Sequence, residues 1–124
     1  MADMITSNFS VHEMACKCGC GNHEMDSEFM RMLQTLRDEM QGPLKVTSGF
    51  RCVNHNQMVS TTGINGPHTQ ARAADILISG ERAMRLFEKA RQIGFSGIGL
   101  SQKGDRAHRF VHIDTLGRKA LWSY

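Results

Sequence analysis

The sequence predicts a small α+β domain, and three observations carry that prediction. Apolar residues recur at helical spacing over 29–40 and again over 84–93. Short β-type runs stand at 44–50, 73–78, 97–100 and 110–114. The first helices precede the strands, and only one later helix is mixed among them. This order suits a mainly antiparallel sheet with helices packed on one side. A chain of 124 residues has room for one domain, spanning 1–124, with one modest core.

Taken in order, Ser10 and Glu13 have the spacing of a capping box that opens a short helix. Residues 16–22 are rich in Gly and Cys and read as a tight loop. Asp26 or Ser27 caps the next helix, in which Phe29, Met32, Leu33, Leu36 and Met40 share one buried face. Gly42 and Pro43 end it. After the strand at 44–50, residues 53–72 are polar, contain Gly63, Gly66 and Pro67, and read as a long loop of the kind that usually carries function. The strand 73–78 follows. Ser79 or Gly80 starts a helix whose inner face is expected to be Met84, Phe87, Ala90 and Ile93. The strands 97–100 and 110–114 complete the sheet, joined by the polar connection 101–109.

Composition narrows the function classes. Forty per cent hydrophobic and 22% charged residues are ordinary for a globular protein. The formal net charge of +3 is scattered, which argues against nucleic acid but suits an anionic polymer such as a bacterial cell wall. No run is apolar and long enough to span a membrane, so no stable membrane association is expected. Residues 1–10 lack an apolar signal core, so the chain is expected to be made in the cytoplasm and to act elsewhere only after release. The nine methionines read as core filler.

Three segments concentrate the chemistry: Ser48–Arg51, His68–Asp75 and Phe110–Asp114. Asp75 stands in an otherwise apolar strand, where an ionised carboxylate is costly unless a cation pairs with it. Period two puts His112 and Asp114 on one strand face, away from Val111 and Ile113. Two His and one carboxylate with an open fourth position form a catalytic zinc arrangement. The spacing alone also fits a strand histidine packed in a core. Cys16, Cys18, Cys20 and Cys52 admit a second, structural zinc site, a disulfide involving Cys52, or plain thiols.

Taken together, these residues resemble the M15 zinc peptidases, the D-Ala-D-Ala carboxypeptidase-like group with its small phage endolysin and murein endopeptidase relatives. The resemblance runs from about Asn8 to Trp122. It is carried by Asn8–Glu13, Cys16–Gly21, Thr47–Cys52 followed by Asn56, His68 through Ile76, Gly97–Leu100 and Arg109–Thr115, in the family's order and near its spacing. It implies a hedgehog-like peptidase fold, with His68, Asp75 and His112 as zinc ligands. It also implies a substrate-binding Arg51 beside the metal, whose guanidinium suits a carboxylate or a developing oxyanion.

The sequence departs from the pattern at Gly66, where the family usually has Ser. It departs again at Ala71, where the family usually has Gly, and at Ser60 and Thr61, in place of a Gly pair. Arg109 stands where better-studied members carry an acidic general base. Asp114, His108 and Asp105 are the remaining base candidates, in that order. The implied function is hydrolysis of a bond in the stem or crosslink of peptidoglycan by a monomeric phage endolysin. The alternatives are a catalytically weak zinc-binding wall module and a virion-associated wall-opening protein.

Overall fold

The computed structural model describes residues 3–18, 20, 24–51, 67–117 and 119–124. Its N-terminal hairpin pairs β1 (Met4–Thr6) with β2 (Phe9–Ser10). Ser10 then caps α1 (Val11–Met14) with both halves of the expected capping box in place: its hydroxyl accepts from the Glu13 N–H, and the Glu13 carboxylate accepts from the Ser10 N–H. Asp26 caps α2 (Ser27–Met40) by accepting from the Phe29 N–H at 2.9 Å. That helix ends with Gln41 in the left-handed region, one residue before the expected glycine.

Five strands form the main sheet: β3 (Lys45–Ser48), β4 (Ala73–Leu77), β5 (Gly97–Ser101), β6 (Phe110–Asp114) and β7 (Ala120–Ser123). Their spatial order is β3-β4-β6-β5-β7. Every neighbouring pair is antiparallel except β5 and β7. A third helix, α3 (Gly80–Ile93), links β4 to β5. The four predicted strands are present, while β1, β2 and the parallel edge strand β7 were not expected. The end of the predicted long loop is a 3-10 turn, Pro67–Gln70, and the remainder, 53–66, lies outside the described residues.

Alternation along the strands sorts the sheet into two faces. Val46, Ala74, Ile76, Ile98, Val111 and Ile113 turn to one side and are buried with Phe29, Met30, Leu33, Leu36, Leu86 and Ala90 of the two long helices. The Phe29 and Phe95 rings meet edge to face in this core at 5.8 Å. The inner face of α3 is Ala83, Leu86 and Ala90, with Phe87 and Ile93 partly buried; Met84 is 67% exposed, which corrects its expected place in the core. The apolar pattern of α3 fits two faces about one residue apart. The face with the bulkier Leu86 went inward.

Asp75, His112 and Asp114 point to the opposite face. Cross-strand register places Ser48, Asp75, His112, Gly99 and Trp122 in one row across all five strands. Among the described residues, no helix is long and apolar enough to cross a membrane.

Candidate metal centre

The row across the sheet brings the three predicted ligands together. His68 on the 3-10 turn, Asp75 on β4 and His112 on β6 are buried, and one donor atom from each lies within 4.8 Å of the others. Asp75 Oδ1 is 3.3 Å from His68 Nε2 and 3.1 Å from His112 Nδ1. The two rings meet edge to face at 5.1 Å.

The outward nitrogens of both rings are committed. His68 Nδ1 lies 2.8 Å from the Gly49 carbonyl oxygen, which can only accept, so that nitrogen carries the proton. His112 Nε2 lies 2.9 Å from Asp114 Oδ2 and donates to it. In neutral imidazoles the inward nitrogens therefore present lone pairs, both aimed at a carboxylate oxygen. Three converging lone pairs require a positive charge among them. Burial pushes the Asp75 carboxyl up, but hydrogen bonds from His112 and His68 outweigh it and hold it well below the usual carboxylate range. Burial likewise opposes charge on His112, and hydrogen bonds to Asp114 and Asp75 overcome it, raising its pKa. A divalent cation satisfies the same demand with the donor set zinc prefers.

Arg51 stands beside this group, as expected. Its Nη2 is 3.4 Å from Asp75 Oδ2, the carboxylate oxygen turned away from the histidines, and its Nε donates to Ser48 Oγ at 3.1 Å. The base candidates are placed differently. Asp114 shares the strand face with His112 but lies behind the ring at 0% exposure, with its second oxygen accepting from the Leu116 N–H. This is the position of a residue that orients an imidazole rather than of one that faces the opening. Asp105 caps the 3-10 turn Arg106–His108, which precedes β6; it and His108 are exposed, and among the described residues no hydrogen bond or ion pair joins either to the group. Arg109 points elsewhere too, donating to the Gly104 carbonyl. It lines an apolar cavity of about 560 Å³ between α3 and β5–β7 with Met84, Phe87 and Leu121, which is separate from the His–Asp–His group.

Residues without a strong sequence signal complete the site. The Trp122 ring lies tilted against His112 with centroids 5.1 Å apart, and the Phe110, Tyr124 and Trp122 rings form a chain beside it. Two glycines make room. A Cβ on Gly99 would lie 2.5 Å from the indole nitrogen of Trp122, and one on Gly97 would lie 2.4 Å from the Asp114 carboxylate. The pair Gly97 and Gly99 was visible in the sequence; its partners were not, because both lie on other strands. Cys16, Cys18 and Cys20 also converge, with sulfurs within 4.8 Å of one another, while Cys52 lies outside the described residues.

A search of the curated proteins finds no match to the chain. The family model described as Peptidase M15 matches residues 7–114, a span that holds His68, Asp75, His112 and Asp114. The chain belongs to the Peptidase M15 family, and peptidase activity is what that membership supports.

Proposed function

We propose that the protein is a zinc metallopeptidase that hydrolyses a peptide bond in the stem or crosslink of bacterial peptidoglycan. The observation that carries the reading is the buried His68–Asp75–His112 group, whose outward N–H groups are spent on Gly49 and Asp114 and whose inward lone pairs converge. A bound zinc supplies a Lewis acid that polarises a peptide carbonyl and makes water a better nucleophile near neutral pH.

The chain's own residues do the rest. Gly49 and Asp114 fix the two imidazoles in the tautomers that leave the inner nitrogens unprotonated. Arg51 steadies Asp75 through its outer oxygen, and its guanidinium, beside the group, has the chemistry that suits a substrate carboxylate or a developing oxyanion. Trp122 covers one side of the His112 ring and keeps water from it. Peptidoglycan as substrate is supported by the resemblance to endolysins and murein endopeptidases and by a mildly basic surface. Host lysis by a phage endolysin, acting as a monomer after release, belongs to the same reading.

The test is digestion of purified cell walls by the zinc-loaded protein, with the muropeptides identified by mass spectrometry. New peptide ends are expected, and they should vanish with a chelator and in His68→Ala. A second reading, a zinc-binding wall module with little turnover, is favoured by one observation: none of Asp114, His108 and Asp105 faces the inner side of the group. Sedimentation of the protein with walls that it leaves uncut would select that reading.

A further inference from the structure

The convergence of Cys16, Cys18 and Cys20 is independent of the catalytic reading. Their sulfurs lie within 4.8 Å of one another, and those of Cys16 and Cys18 are 3.4 Å apart. That is far beyond the roughly 2.05 Å of a disulfide. Around a tetrahedral zinc with Zn–S bonds of about 2.3 Å, neighbouring sulfurs stand about 3.8 Å apart. The observed spacing therefore needs little adjustment. A packing role explains Cys16, which is 4% exposed, but not Cys18 and Cys20, which are exposed.

We propose that Cys16, Cys18 and Cys20 hold a second, structural zinc ion as three thiolates. Binding releases the thiol protons and sets the attraction of three thiolates to one cation against their mutual repulsion. The loop they close begins two residues after Met14. The Met14 carbonyl accepts the Phe50 N–H at 2.9 Å, and Met14 packs so closely on Gly49 that a Cβ there would lie 2.8 Å from its oxygen. Gly49 in turn holds His68 Nδ1. The thiolate site thus anchors the end of α1 against the strand exit that orients a ligand of the other centre. A small domain with one modest core gains from such a staple.

The test uses the full chain, purified reduced and saturated with zinc or with cobalt. Wild type should retain two zinc ions per chain after desalting. Cys18→Ser with Cys20→Ser, both at exposed positions, should retain one, and His68→Ala should also retain one. The cobalt form should show intense near-ultraviolet thiolate-to-metal absorption that survives His68→Ala and disappears in the double serine variant. That absorption in wild type and His68→Ala, with its loss in the double serine variant, would sustain the thiolate site even if no wall digestion were found. One zinc per chain in wild type, with no thiolate absorption, would overturn it. So would a disulfide between any two of the three cysteines in protein that still binds its full zinc complement.

Discussion

Asp114 changes meaning once its partner is known. On the strand it is two residues from His112 and on the same face, which fits a base and an orienting residue equally well. Its burial and its 2.9 Å contact with the outward nitrogen favour orientation. An amide at that position can still accept from the ring but brings no charge to hold the tautomer. Asp114→Asn is therefore expected to weaken zinc binding at the His–Asp–His centre by about 10- to 100-fold. Competition with a chromophoric chelator, in the double serine variant so that one site remains, measures this. Unchanged affinity with lost turnover would return Asp114 to the role of base. Ala71 makes a second residue-scale case. It adopts φ +62°, in the left-handed region, where the family usually carries Gly. A left-handed Ala costs about 1–2 kcal/mol, partly offset because Gly loses more entropy on folding. Ala71→Gly should stabilise the protein by up to about 1 kcal/mol in urea denaturation and leave wall digestion intact. A loss of stability would mean that the methyl group packs against something worth more than the strain.

At the scale of elements, the strands that carry the ligands were legible and the pieces that surround them were not. The alternation of 110–114 announces which side chains share a face, and the capping residues Ser10 and Asp26 announce the helix starts; both are local signals. The edge strand β7 has only four residues and pairs in parallel with β5, a partner about twenty positions earlier, so no local pattern reports it. The register of α3 failed for a related reason: an amphipathic stretch fixes that a face is buried but not which of two overlapping faces the sheet accepts. Substitution separates them. Met84→Gln should change stability by less than about 0.5 kcal/mol, whereas Leu86→Ala should cost about 2–5 kcal/mol. Equal losses would show that Met84 is held by the apolar cavity it lines. Gly99 tests the row across the sheet. A methyl group there meets the indole at 2.5 Å, so Gly99→Ala should cost about 1–3 kcal/mol and move Trp122 off His112. The chain has one tryptophan, so its fluorescence reports the displacement directly. An unchanged emission spectrum would mean that the backbone, and not the ring, gives way.

Across the whole molecule, the main sheet separates two different environments. The helix-covered face holds the apolar core, and the other carries a buried carboxylate between two imidazoles. Without a cation the second face is a liability, because Asp75 is buried and its inward neighbours offer lone pairs unless one takes up a proton. A metal that binds the folded chain and not the unfolded one adds RT ln(1 + [L]/Kd) to stability, about 2.7 kcal/mol at one hundred times Kd. To isolate this centre from the cysteines, Cys18 and Cys20 are both replaced by Ser. In that background, zinc at one hundred times its measured Kd should raise the urea-denaturation free energy by about that amount, and a chelator should reverse it. Asp75→Asn keeps the shape of the side chain while removing its charge. It should abolish most of the zinc increment, and it should leave the metal-free protein less stable than its parent at neutral pH, because the fold holds the Asp75 carboxyl below its usual range and Arg51 stands against it. A metal-free Asp75→Asn protein at least as stable as its parent would instead show that the imidazolium and Arg51 leave the carboxylate unsatisfied, so that the site is held together only once a metal enters.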